Sequence, residues 1–283
     1  MQNVYRTTFR VRSYECDANG HVNNAVYQQY LEDGATCASA ALGFPMAWYA
    51  ARGETWFLRA VRISYLQPCR ANDELTLTTW ISSRQRVRSN RQYAVARGDG
   101  ATVLRATAEW VYVDLNTGRP RSIPTELTSE CIHETPDNVE PLKLTAPTAD
   151  GRVFTWRHDV RRYELDVNQH VNNAVYLNWL EESKLRACAE AGWSLEKMRE
   201  SDLLVLQTRH DTEYLAPVRY GDEVEIRSRL VDLRRVRGTW QHEMRRAADG
   251  ALLARNYSSG AFLTLDGRPR QAPAEYLEAL LGR

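Results

Sequence analysis

The chain has 283 residues, 43% of them hydrophobic and 26% charged, with a formal net charge of +1. That length is too great for one small core and suits two domains of ordinary size. The near-neutral balance argues against a strongly basic nucleic-acid binder or an acidic tail, and no apolar run reaches the roughly 20 residues of a membrane span.

In chain order, TTFRVRSYE (7–15) alternates as a strand does. A polar cluster follows in YECDANGHVNNAVY (14–27). From Asn24 to Leu42 the apolar residues Val26, Tyr30, Leu31, Ala35, Ala38 and Leu42 recur at helical spacing, and Gly43 stands where a C′ glycine ends a helix. At 1.5 Å per residue that helix is roughly 25 Å or more long. Four β-rich runs come next, near 54–67, 73–87, 91–98 and 102–114. HETPDNVEPLKLTAPTAD (133–150) is proline-rich and polar and reads as a linker, leaving domains at 1–132 and 151–283. The order then restarts: VFTWRHDVRRYEL (153–165) as a strand, then a helix through Val175, Trp179, Leu180, Leu185, Ala187 and Cys188 to Gly192. One strand, one long helix and four strands give an α+β fold, with the helix packed on one face of an antiparallel sheet.

The restart is a repeat. YELDVNQHVNNAVY (163–176) matches 14–27 at 11 of 14 positions, 149 residues on. Tyr65, Pro68 and Asp73 return at that offset as Tyr214, Pro217 and Asp222, and Arg86, Val87 and Arg88 return as Arg235, Val236 and Arg237. The endings TGRPRSIP (117–124) and DGRPRQAP (266–273) also correspond. A constant offset over about a hundred residues means a duplicated domain.

The polar cluster falls where a strand meets a helix, and the unpaired N–H groups there favour negative charge. A carbonyl oxygen brought to that end finds donors as it gains charge, and a carboxylate one turn away can attack an acyl carbon or activate water on it. The bland alternative is capping, since Asp and Asn are preferred N-caps and a lone His there is more often structural. Arg86, Arg88, Arg235 and Arg237 fall between strands and suit either a nucleotide phosphate or a solvated hairpin. Glu32 and Glu181 lie near the same helix face as Asn24 and Asn173, as a second acidic group or as surface charges. The aromatics near Trp48–Tyr49, Trp56–Phe57, Trp110–Tyr112 and Trp240 read as core. Cys16, Cys37, Cys69, Cys131 and Cys188 form no CxxC pair and no zinc spacing, and the N-terminus lacks an apolar signal core. The expectation is a cytoplasmic protein with reduced thiols, no metal and no nucleic-acid partner.

D-x-N-x-HVNN-x-x-Y followed by a helix resembles the hotdog-fold thioesterases. The first copy is similar to the acyl-CoA branch related to 4-hydroxybenzoyl-CoA thioesterase. The second is similar to the acyl-acyl-carrier-protein (acyl-ACP) thioesterases, which also carry two hotdogs in one chain. The resemblance implies a tandem double hotdog, each a curved antiparallel sheet wrapped around one long helix, and an internal pseudo-dimer, with pairing of two chains left open. It implies hydrolysis of an acyl-CoA or acyl-ACP thioester by water, without a cofactor. It assigns Asp17 or Asp166 as nucleophile or general base, with His21, Asn168 and His170 beside them. The backbone N–H near Asn24 or Asn173 is the oxyanion donor, and the four hairpin arginines fall where relatives hold CoA phosphates. One departure stands out: the further Glu or Cys of the acyl-ACP enzymes is replaced here by Pro217–Val218, with Glu213 several residues early.

Two other readings stay open. Hotdog hydratases resemble D-x-N-P-x-H, with His five residues after Asp, whereas here it lies four after and no proline intervenes. A non-catalytic acyl-CoA-binding protein would keep the fold, although Asp and His are intact in both copies.

Overall fold

The structure is a computed structural model describing residues 4–127, 138–142 and 150–282. Two compact units divide it, Met1–Glu140 and Pro141–Arg283.

The first unit runs β1 (Tyr5–Arg10), a 3₁₀ turn (Ser13–Glu15), α1 (Asn24–Ala41), α2 (Met46–Arg52), β2 (Glu54–Tyr65), β3 (Glu74–Arg84), β4 (Arg88–Arg97), β5 (Thr102–Asp114) and β6 (Arg119–Pro120). Its strands pair antiparallel in the order β1-β3-β4-β5-β2, with β6 against β5. Every second residue of β1 is covered, as a one-sided sheet requires. Ala25, Tyr27, Leu31, Gly34 and Ala38 of α1 are buried at helical spacing. Gly34 lets the helix approach β3 closely: a Cβ there would stand 2.6 Å from Cδ2 of Leu77.

The second unit repeats the plan with β7 (Phe154–Asp159), a 3₁₀ turn (Arg162–Glu164), α3 (Val175–Glu190), α4 (Leu195–Glu200), β8 (Leu204–Tyr214), β9 (Glu223–Arg234), β10 (Arg237–Arg246), β11 (Leu252–Leu263) and α5 (Ala274–Leu281). The order is β7-β9-β10-β11-β8, again antiparallel. Tyr276 and Leu280 of α5 join Phe154, Trp193, Leu230 and Phe262 in a core cluster. This is the α+β architecture the periodicity predicts. The short helices α2 and α4 and the terminal α5 are additions to it.

The expected linker is only partly described; residues 133–137 and 143–149, like Cys131, lie outside the described residues. Its middle is packed onto strands. Val139 N–H donates to Thr107 Oγ1 at 2.8 Å in the first unit, and Leu142 N–H donates to Asp211 Oδ2 at 2.5 Å in the second. Of the expected core aromatics, Tyr112 and Trp240 are buried, while Trp48, Tyr49, Trp56, Phe57 and Trp110 are half-buried. Cys16, Cys37, Cys69 and Cys188 are free thiols. Among the described residues no helix is long and apolar enough to cross a membrane.

Candidate active site

Each polar cluster folds into a closed five-residue turn between the 3₁₀ turn and the long helix. In the first unit, Asp17 N–H donates to the His21 carbonyl at 2.7 Å. Oδ1 of Asp17 accepts from the N–H of Asn19 at 2.8 Å and of His21 at 3.1 Å. The second unit repeats this: Asp166 Oδ1 accepts from Asn168 N–H at 2.8 Å and His170 N–H at 3.2 Å. Isolated bridges, Cys16 with Val22 and Leu165 with Val171, close the two turns. The turn needs one residue in the left-handed region, supplied by Gly20 (φ 74°) in one copy and Gln169 (φ 59°) in the other.

The capping expected of the motif falls on Asn23, whose side chain accepts from Ala25 N–H at 2.8 Å; Asn172 makes the same contact with Ala174 N–H at 2.9 Å, in the turn that leads into α3. The carbonyls of Asn23 and Asn172 accept the next amides, those of Val26 and Val175, each at 3.0 Å. Among the described residues nothing accepts from the N–H of Asn24 or Asn173.

The two oxygens of each aspartate divide their work. Oδ1 ties the turn. Oδ2 of Asp17 has no partner among the described residues, and Oδ2 of Asp166 has only the Asn168 amide at 3.5 Å. His21 and His170 follow in the same turns. Nδ1 of His21 is buried without a partner, whereas Nε2 of His170 faces an Arg219 guanidinium nitrogen at 3.4 Å. Burial, then the Arg219 charge, hold the His170 imidazole below its ordinary value, against the pull of Asp166.

Beneath the turn sits a buried carboxylate that the motif reading missed. Glu15 accepts from Arg12 N–H at 2.6 Å and the Tyr30 hydroxyl at 2.7 Å, and its carbonyl accepts from Asn23 N–H at 3.0 Å. Glu164 accepts from Arg161 N–H at 2.7 Å, Trp179 Nε1–H at 2.9 Å and His158 Nε2 at 3.0 Å. Arg70 and Arg219 were also missed. A Cβ on Gly20 would stand 3.7 Å from the Arg70 guanidinium, and Asp222 anchors the turn bearing Arg219 through its N–H at 2.9 Å. The available signal was the repeat offset, which pairs Arg70 with Arg219 and Glu15 with Glu164.

The hairpin arginines are not brought to these turns within their own units. Arg10, just before the first turn, pairs with Glu74 at the start of β3, while Arg86 and Arg88 follow its far end. Eleven residues at about 3.3 Å each put them roughly 35 Å away along the sheet. Arg86 bonds Ser122 and Arg88 pairs with Glu109; Arg235 and Arg237 are exposed at the corresponding hairpin. Glu32 accepts from the Gln28 amide at 3.1 Å, and Glu181 lies close enough to act on the Lys184 charge. Glu213 is exposed. Among the described residues no three His, Cys, Asp or Glu side chains gather as a metal site.

A long helix laid on a curved antiparallel sheet, twice in one chain, defines a tandem double hotdog. The fold is shared over nearly the whole chain with solved structures. A Lactobacillus plantarum protein assigned as an oleoyl thioesterase superposes with TM-score 0.75 at 21% identity, covering 92% of this chain and 96% of that one. An acyl-ACP thioesterase from Bacteroides thetaiotaomicron superposes at 0.71 with 18% identity, covering 92% and 98%.

The sequence places it further. Residues 2–131 match the acyl-ACP thioesterase N-terminal domain and residues 160–280 match the thioesterase-like superfamily, so the chain belongs to the hotdog thioesterases. Among curated relatives, a chloroplastic palmitoyl-acyl carrier protein thioesterase of Gossypium hirsutum is 28% identical over 64% of this chain and 47% of its own length. The chain spans about half the length of the curated relatives it matches.

Proposed function

We propose that the protein hydrolyses an acyl-CoA or acyl-ACP thioester to a free acid and a thiol. The observation that carries this is the repeated turn, in which a carboxylate with one uncommitted oxygen sits beside a helix end with one uncommitted N–H. The family membership and the acyl-ACP relatives support the same reaction.

In this reading Oδ2 of Asp17 or Asp166 takes a proton from water as water attacks the thioester carbon. The carbonyl oxygen gains charge and accepts from the N–H of Asn24 or Asn173, at the positive end of the helix. The tetrahedral intermediate collapses, the C–S bond breaks, and the thiolate leaves and is protonated. Direct attack by the carboxylate, through an anhydride that water then opens, uses the same atoms. His170, kept neutral by burial and Arg219, orients the water together with the Asn168 amide. Arg70 beside Gly20 and Arg219 beside His170 place a cation at each turn, where it attracts the anionic carrier of the substrate.

The test is thiol release from acyl-CoAs, acetyl to palmitoyl plus an aromatic one, and from acyl-ACPs. Asp17→Asn together with Asp166→Asn keeps an oxygen for the turn but removes the base, so turnover falls roughly 100-fold or more with the melting temperature unchanged. Full activity in the double variant rejects the aspartate mechanism; binding without thiol release across the panel rejects hydrolysis.

A further inference from the structure

The two units share a fold but not an interior. On β9, Ser228 meets the helix through Ser183 of α3, their hydroxyls 2.7 Å apart. Ser228 pairs across the sheet with His242, His242 with Asn256, and Asn256 with Thr212, so this row points at the helix. The next row on the same face holds Leu230, Trp240, Ser258 and His210. Where the first unit has Ala35, Leu58 and Val61, the second has Lys184, Gln207 and His210 at the 149-residue offset, and where β5 has Ala106 and Ala108, β11 has Asn256 and Ser258 at the matching strand register. Four small or apolar positions on the sheet, and Ala35 on the helix, are polar in the second unit, while the buried Arg91 of the first unit has Trp240 as its counterpart.

Most of these groups satisfy each other. The Ser228 hydroxyl lies 2.7 Å from Nδ1 of His242, and the Ser258 hydroxyl 3.0 Å from Nε2 of that ring. Two groups are left over. The Asn256 amide, 2% exposed, meets Thr212 Oγ1 at 2.7 Å and His210 Nδ1 at 3.4 Å through one end only, and its other end is buried without a partner. Hydroxyl and imidazole can serve either end of an amide, so the idle end is a donor or an acceptor according to its orientation.

The second group is the Lys184 amine. It donates to Oε1 of Gln207, whose own amide is fixed by the carbonyls of Arg209 at 2.7 Å and Ser259 at 2.8 Å. None of the described ion pairs includes it. The side chain keeps some exposure, yet its surroundings are close enough that burial pushes the amine down to about 8, against Glu181. Its charge also reaches His210 and His242. A half-buried cation with no ion pair among the described residues, and only Glu181 in reach of its charge, is stabilised when an anion joins it.

We infer that the interior of the second unit is a carboxylate-binding pocket, in which the Lys184 ammonium supplies the counter-charge and the idle end of the Asn256 amide a hydrogen bond. The carboxylate has two sources: the free acid released by a thioesterase, or the far end of a dicarboxylic acyl group still held as a thioester. Only this choice of source rests on the thioesterase reading; the pocket does not.

The chain has only three lysines, Lys143, Lys184 and Lys197, so selective ¹³C labelling of lysine lets NMR follow the Lys184 amine in the intact protein. Saturating octanoate raises the Lys184 titration midpoint by at least one pH unit, 1-octanol leaves it in place, and octanoate affinity falls as pH rises past the free-state midpoint. Lys184→Met weakens octanoate binding at least tenfold, while Lys184→Arg retains the charge and most of the affinity. An unmoved Lys184 midpoint at saturating octanoate, or equal binding by Lys184→Met, overturns the proposal. Kinetics then separate the sources. A KM for suberyl-CoA at least tenfold below that for octanoyl-CoA, equalised in Lys184→Met, identifies the dicarboxylic substrate. Inhibition by octanoate that Lys184→Met relieves identifies the released acid. Should no thioester release thiol, the proposed function fails, and the NMR titration still decides the pocket.

Discussion

A guanidinium nitrogen of Arg219 stands 3.4 Å from Nε2 of His170. A guanidinium only donates, so that ring nitrogen carries the lone pair and Nδ1 the proton. Burial is the larger cause of the lowered His170 value and Arg219 the second. Replacing Arg219 with Gln therefore raises the His170 pKa part of the way to its ordinary 6.5. If hydrolysis needs the neutral ring, the acid limb of the kcat/KM profile moves to higher pH in Arg219→Gln. NMR titration of the ring proton checks the pKa, and a shifted ring with an unshifted limb removes His170 from the mechanism.

Glu164→Gln tests what holds the turn. The Glu164 carboxylate gathers Arg161, Trp179 and His158, and it is 8% exposed. An amide of the same shape offers one acceptor where two oxygens served, and turns an NH₂ toward donors. Hydrogen bonds to a charged group are worth about 1.5–3 kcal/mol, so the variant loses roughly that much stability. Thermal melting reads it as a fall of several degrees. Glu15→Gln acts alike, with a pH signature: burial pushes the Glu15 carboxyl up, but bonds from Arg12 and Tyr30 outweigh it and hold the group below 4.5. Its contribution is present above that value and lost as pH falls through the lower folded-state one.

His210 and His242 make the second unit sensitive to acid. Both are buried, at 2% and 0% exposure, and burial, then the Lys184 charge, hold them well below 6.5. Unfolded chain binds those protons near pH 6.5 and folded chain does not, so stability falls as pH drops below that value. Each ring contributes about 1.4 kcal/mol per pH unit until its folded-state value is reached. Urea melts at pH 7.5 and 5.5 measure the slope, and His242→Gln removes half of it. Melting independent of pH over this range contradicts buried neutral rings.

Much of the fold was legible because burial on one face writes a period into the chain. The pattern from Val26 to Leu42 placed α1, observed at Asn24–Ala41, and the β-rich runs placed β2 to β5 within a few residues. Helix α2 buries none of its residues, so it left no period to read. The candidate turns were legible through repetition, since Asp17 and Asp166 recur with their neighbours. Arg86 and Arg88 were legible as a pair but not as a location: adjacency of strands does not say which end of β3 faces the turn. The polar interior was hidden for a related reason. In RGTWQHEMRR both faces of β10 carry polar residues, and it takes the structure, through the burial of His242 and the hydroxyl contact of Ser228 with Ser183, to show that His242 points inward.

Where one gene encodes a single small domain that works in identical copies, each mutation is written into every copy at once. Here Ala35 and Lys184 are separate codons. A half-buried lysine had to be tolerated once, in one half, while the other kept alanine at that position and the chain went on folding. Asymmetry of this kind is open to a duplicated gene and closed to the unduplicated one.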